Sequence, residues 1–168
     1  MNIRKAKISD IQSVEAIYAD ARVLMREAGN PTQWGAAYPP TEQVMRDISE
    51  ECLYLAEEGG EILAVFYFRE GRDATYDEID GEWLNDEPYA VIHRIAISKS
   101  ARGRGVAGEC FDYCFARCQN LRIDTHEDNA PMQRALLKNG FIRCGIIRID
   151  RPSCEGDSGR RVAFHRVK

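Results

Sequence analysis

The stretch Arg102-Gly103-Arg104-Gly105-Val106-Ala107-Gly108 holds three glycines and two arginines directly after the apolar run Ile95-Ala96-Ile97 and Ser98–Ala101. A strand that feeds a glycine turn and then opens a helix is a place to hold an anion. Glycines let the backbone approach closely, and the first helical N–H groups have no acceptor within the helix. The helix dipole adds partial positive charge, and Arg102 and Arg104 supply matching cations. Neither of two common phosphate loops is present: there is no G-x-x-x-x-G-K-[ST], and no G-x-G-x-x-G followed about 20 positions on by an acidic residue. By its composition alone the turn reads equally well as a solvated surface charge run. Proton transfer near neutral pH falls most naturally to the three histidines, His93, His126 and His165. Cys110, Cys114 and Cys118 recur every four residues, a helical stripe without the paired spacing that closes a zinc tetrahedron. No metal site is expected.

These groups must be positioned by elements legible from periodicity. Asn2–Lys7 reads as an edge strand. Ser9-Asp10 offers a helix N-cap, and Ile11, Val14, Ile17, Tyr18, Ala21, Leu24 and Met25 keep a helical period up to Gly29-Asn30-Pro31. After a loop with Trp34, Tyr38, Pro39 and Pro40, a second helix runs from Thr41 to near Glu51. Cys52–Glu57 and Ile62–Phe68 are apolar runs joined by Glu58-Gly59-Gly60-Glu61, a hairpin signal. Arg69–Pro88 is a polar excursion without sustained period, anchored by Trp83 and Leu84. Tyr89–Ile97 is the next strand, followed by the glycine turn and a helix from Gly105 or Val106 to Cys118. Leu121–Thr125 is a short strand, and Asn129–Asn139 a helix closed by Gly140. Phe141–Ile149 and Val162–Val167 are the last strands, separated by a loop at Arg151–Gly159. The order β-α-α-β-β-β-α-β-α-β-β implies an α/β (α+β) fold, a mixed sheet with helices packed on it.

Length and composition bound the answer. With 168 residues, 44% hydrophobic and 30% charged, the chain matches an ordinary globular domain, expected to span residues 1–168 as one unit. A net charge of −4 leaves no overall basic field for nucleic acid or an anionic membrane. The longest apolar run, Ile62–Phe68, is seven residues, against roughly 20 for a spanning helix. The N-terminus, Met1-Asn2-Ile3-Arg4-Lys5-Ala6-Lys7, is polar and lacks the apolar core of a secretory leader. A cytoplasmic location is expected, with the six cysteines as reduced, mostly buried thiols.

Arg102-Gly103-Arg104-Gly105-Val106-Ala107 resembles the R/Q-x-x-G-x-G/A pyrophosphate loop of the GNAT superfamily of N-acetyltransferases. It follows Ile95-Ala96-Ile97 where that family has an apolar-Ala-apolar strand. Downstream, Asn129-Ala130-Pro131-Met132-Gln133-Arg134-Ala135-Leu136-Leu137-Lys138-Asn139-Gly140-Phe141 is similar to the family's N-x-x-A/M-x-x-L-Y-x-K-x-G-F segment. The element order extends the likeness over nearly the whole chain. It implies a GNAT-like, mostly antiparallel sheet of six or seven strands flanked by about four helices.

The resemblance also implies roles. Ile95, Ala96 and Ile97 would pair with the pantetheine arm of acetyl-CoA as an added strand does. Arg102, Gly103, Arg104, Gly105, Val106, Ala107 and Gly108 would hold the pyrophosphate. Asn129 would bond the pantetheine arm, with Met132 and Leu136 lining its thioester end, although ordinary helix packing explains these two equally. Trp34, Tyr38 and Tyr89 lie where the family often builds the acceptor wall, and their rings could hold an ammonium by cation–π contact. Packing is the alternative for each. Leu136 occupies the position where the family often has a Tyr that protonates the leaving thiolate. Here the thiolate leaves unassisted, or water or a Tyr elsewhere serves.

The implied reaction is direct attack of an amine on the acetyl group, for which a base must first remove a proton. His93, on the strand that carries Ile95 and Ile97, is the first candidate, and His126, in the loop after the next strand, the second. Each has a structural alternative, and His165 reads as structural. The acidic clusters Glu57-Glu58 and Asp77-Glu78 with Asp80 could attract a cationic amine, or be solvated faces. The resulting expectation is an acetyl-CoA-dependent N-acetyltransferase acting on a primary amine of a small molecule or protein. The competing reading is a non-catalytic acyl-CoA sensor or partner subunit. Nucleic-acid binding through Arg102 and Arg104 is disfavoured by the net charge, and a homodimer is left open.

Overall fold

Ile62–Phe68 is apolar at every position, as a strand covered on both faces must be. In the computed structural model, which describes residues 1–150 and 152–168, all of these but Ile62 are buried. They form the centre of β3 (Glu61–Glu70), between β2 (Leu53–Glu58) and β5 (Ala90–Ile97). β1 (Asn2–Lys5) lies at the edge beyond β2, as its half-polar pattern predicts. β6 (Asn120–His126), β8 (Arg160–Val167) and β7 (Ile142–Arg148) extend the sheet on the other side, ending at β4 (Asp80–Gly81). Every pairing is antiparallel except β5 with β6, whose crossover is α3 (Val106–Phe115).

The sheet has eight strands, one more than the expected six or seven, because Asp80–Gly81, inside the polar excursion, pairs with Gly145-Ile146. Gly81 and Gly145 make that possible. A Cβ on Gly81 would sit 2.1 Å from the Cys144 carbonyl oxygen, and one on Gly145 2.2 Å from that of Asp80. The expected helix to Cys118 stops at Phe115, and the Cys118 thiol donates to the Asn120 carbonyl at 3.5 Å, outside the helix. The start of the expected loop at Arg151–Gly159, Arg151 itself, lies outside the described residues.

Side-chain alternation divides the core between two faces. α3 and α4 (Ala130–Lys138) cover one, against Phe66, Ile92, Leu121, Ile123 and Phe164. α1 (Ile11–Glu27) and α2 (Thr41–Ser49) cover the opposite face over β2 and β3. The excursion between β3 and β5 covers the rest of that second face through Tyr76 and Trp83. Asp10, expected to cap α1, instead accepts from the Lys7 backbone N–H at 2.7 Å and from Arg4 at 2.8 and 3.0 Å. No helix among the described residues is long and apolar enough to cross a membrane.

Candidate active site

A parallel pair normally continues along its whole length, but β5 and β6 pair only at Ala90–Leu121 and Val91–Arg122. Beyond that point they separate, and the backbone of β5 from Ile92 onward has no strand partner on that side. The divergence coincides with a bulge. Arg94 has φ +49°, and the register between β3 and β5 shifts between Val65 and Tyr67. The bulge is fastened from three sides. Arg94 donates to both oxygens of Asp47 on α2 at 2.8 and 2.9 Å, its guanidinium lies 4.5 Å from the Tyr67 ring centre, and Tyr18 on α1 donates to its carbonyl at 3.0 Å. It also reverses the side-chain alternation: His93 packs near Tyr67 and Tyr76 on one face, whereas Ile95 and Ile97 join Ile92 on the other.

The separation opens a cleft of about 380 Å³. Trp34 and Tyr38 line it from the α1–α2 loop, and His93, Ile95, Asn129 and Met132 reach it from β5 and α4, so the structure brings these six candidates together. Asp73, Asp124, Thr125 and Arg161 also line it, and none of these stands out in the sequence. His93 Nε2 lies 2.9 Å from Asp73 Oδ2, and Nδ1 lies 3.8 Å from Asp124 Oδ1. The hydrogen bond to His93 holds the Asp73 carboxyl well below the usual carboxylate range, with the Thr75 backbone N–H assisting. Tyr76, fully buried, donates to Asp124 at 2.7 Å, and burial pushes its phenol well above the ordinary range. Thr125 is buried, with no partner for its hydroxyl.

Three expected site residues lie elsewhere, and a fourth, Ala96, keeps its backbone on the unpaired side of β5 while its side chain turns away. His126 is buried outside the cleft lining; its Nδ1 accepts from the Asp128 backbone N–H at 3.1 Å, which shapes the loop into α4. Tyr89 borders a separate hollow and accepts from the Asp73 backbone N–H at 2.9 Å, so it braces Asp73 and is no part of the cleft wall. Leu136 is fully buried in the core beneath α4, and Ala96 faces α1 and α2. His165 is structural: it is completely buried, accepts from the Leu84 N–H at 3.1 Å and meets Asn120, and burial, with Arg122 nearby, pushes it down to about 4. Of the acidic clusters, Glu57 pairs with Arg4, Glu58 with Arg104, and Asp77 with Arg72.

At the other end of β5 the glycine turn has the expected form. Gly103 and Gly105 have φ +77° and +83°, with open space where a Cβ would lie. Arg102 precedes them, with Nε and Nη2 buried and without partners among the described residues. Gly108 serves packing, since a Cβ there would come within 2.6 Å of Asn139 Oδ1 at the end of α4. Asn129 caps α4, accepting from the Met132 N–H at 3.2 Å, and donates to Gln33 of the α1–α2 loop at 2.9 Å. Among the described residues no cluster of His, Cys, Asp and Glu could hold a metal ion, and all six cysteines are free.

The parallel pair thus splays open, with a glycine turn and a helix N-terminus at its mouth, and comparison with known proteins gives the family to which the chain belongs. The family described as "Acetyltransferase (GNAT) family" matches residues 15–141, and the chain belongs to it. A GNAT-family acetyltransferase from Streptococcus agalactiae 2603 is 31% identical over 99% of this chain and 95% of its own, with a TM-score of 0.88. One from Bacillus cereus ATCC 10987 is 24% identical over 99% and 96%, with a TM-score of 0.61. A GNAT superfamily phosphinothricin acetyltransferase from Sinorhizobium meliloti, solved in complex with AcCoA, shares the fold at 15% identity over 98% and 86%, with a TM-score of 0.67. No curated protein matches the chain. Acetyl transfer is therefore the general chemistry of this molecule.

Proposed function

We propose that this protein is an acetyl-CoA-dependent N-acetyltransferase that acetylates a primary amine of a small molecule or protein, with His93 as the general base. The observation that carries this reading is His93 at the wall of the cleft, hydrogen-bonded on Nε2 to an ionised Asp73 while Nδ1 lies 3.8 Å from Asp124 Oδ1 without a direct bond.

The residues present fit acetyl-CoA. Arg102 offers two buried nitrogens, Nε and Nη2, unpartnered among the described residues, beside a glycine cradle, and α3 presents its first amides there. The unpaired side of β5 at Ile95–Ile97 offers backbone groups to an amide-bearing chain, while Asn129 and Met132 flank the cleft from α4. When bound, acetyl-CoA supplies an acyl carbon activated by a thiol leaving group of ordinary pKa about 8.5. The protein orients the acceptor between Trp34, Tyr38 and the β5 wall and takes the amine's proton at His93. Leu136 cannot donate a proton, so the departing thiolate is protonated by water in this reading.

Free-thiol release from acetyl-CoA across polyamines, arylalkylamines, aminoglycosides, amino acids and peptide N-termini tests it, with Gly105→Glu as a blocked-loop control. Release driven by one amine class and lost in the control supports the enzyme. Tight acetyl-CoA binding with no amine-dependent release supports the non-catalytic sensor.

A further inference from the structure

Two carboxylates flank His93, and they are held differently. Asp73 lies within hydrogen-bond distance of Nε2, whereas Asp124 Oδ1 is 3.8 Å from Nδ1, too far for a direct bond. Asp73 is fixed on every side. Its Oδ1 accepts from the Thr75 N–H at 2.9 Å and its own N–H donates to the Tyr89 hydroxyl at 2.9 Å. Asp124 is fixed by the buried Tyr76 phenol.

The cations nearby are already committed. Arg94 is paired with Asp47, and Arg161 donates to Asp157 at 2.9 and 2.6 Å. The charge left unmatched beside the ring is that of Asp124. A neutral imidazole carries one N–H, and an ionised Asp73 places it on Nε2. Nδ1 is then a lone pair facing a carboxylate oxygen, two acceptors with no donor between them. An ammonium, with several N–H groups, satisfies both.

On the acetyltransferase reading above, we propose that Asp73 fixes the imidazole with Nδ1 as its basic nitrogen and that Asp124 seats the acceptor's ammonium against Nδ1. Asp73 is a positioning residue and Asp124 a substrate contact. The acceptor nitrogen gives up two protons in all, as the C–N bond forms and the C–S bond breaks. One passes through Nδ1 to solvent, and the other ends on the sulfur of free CoA. Among the described residues lining the cleft, Arg94 and Arg161 are already paired, and a carboxylate next to the reacting amine would face the Asp124 charge. The acceptor class is therefore a cationic amine without an adjacent anion: phenethylamine above phenylalanine.

The test joins a spectroscopic readout to a kinetic one. The ¹⁵N shifts of the imidazole of His93, assigned by their loss in His93→Gln, report which nitrogen carries the proton without any ligand. The proposal requires the Nε2–H tautomer in the neutral ring, lost in Asp73→Asn; an Nδ1–H ring in the native protein overturns it. With the best amine of the panel, Asp73→Asn lowers kcat about tenfold or more and leaves the amine KM within about threefold. Asp124→Asn, whose amide oxygen still accepts from Tyr76, and Asp124→Ser raise the amine KM about tenfold or more with kcat and the acetyl-CoA KM little changed. An unchanged amine KM in both Asp124 variants overturns the seat, as does equal turnover of phenethylamine and phenylalanine. If acetyl-CoA binds but no amine releases thiol, the acetyltransferase reading fails and the Asp124 seat with it. The Asp73 tautomer lock is judged by the ¹⁵N spectrum alone.

Discussion

Arg94 combines three features that are individually uncommon: an L-residue at φ +49°, a cation in the interior, and a place within a strand. Asp47 makes the combination tenable, since the pair leaves 13% and 2% of the two side chains exposed. Removing one member of such a pair strands a buried charge. Asp47→Ala should cost about 3–5 kcal/mol, read from the urea midpoint, whereas removal of the exposed pair Arg104–Glu58 should cost less than about 1 kcal/mol. Asp73 carries a different signature. Its carboxyl titrates below its unfolded value, so the unfolded chain binds the extra proton as pH falls through about 4 and the native state is weakened there. The contribution is fully present above that pH. Asp73→Asn should flatten the loss of stability between about pH 4 and pH 2, as measured by denaturation across pH.

Among the elements, β4 is held by backbone contact alone, because neither Gly81 nor Gly145 can accept a Cβ without driving it into a carbonyl. Gly145→Ala should detach β4 from β7 and destabilise by about 1–3 kcal/mol, with amide exchange rising first at Asp80–Glu82. The element map also shows what the sequence could and could not disclose. The glycine turn and the α4 cap were legible because their determinants are local: positive φ at Gly103 and Gly105, and an Asn129 side chain meeting its own helix three residues on. Isolated glycines in a polar excursion and a distant strand carry no such local mark, so β4 went unread. Asp73 and Asp124 were invisible for a related reason. Each meets His93 only because the excursion folds back over β5 and because β5 and β6 part after two pairs. Tyr89, expected to open a strand, lies just before β5, and His126, expected in a loop, is the last residue of β6; strand ends do not disclose which hollow a side chain enters, and both side chains support backbone rather than line the cleft.

At the scale of the whole molecule, the cleft is assembled from distant parts. The α1–α2 loop reaches α4 through Gln33 and Asn129, and Ser153 donates to the Gln33 carbonyl at 3.3 Å. A ligand bound across these elements should stabilise the entire fold: acetyl-CoA at 100 times its Kd adds about 2.7 kcal/mol, seen as a raised Tm, and Gly105→Glu should abolish the shift. The central claim, that His93 withdraws the acceptor's proton, is tested most directly by amine-dependent thiol release in His93→Ala beside the native protein at saturating acetyl-CoA. The account predicts a fall in kcat of about a hundredfold or more, with acetyl-CoA binding intact. A variant that binds acetyl-CoA and retains native kcat, with an unchanged acidic limb in its pH–rate profile, would contradict it.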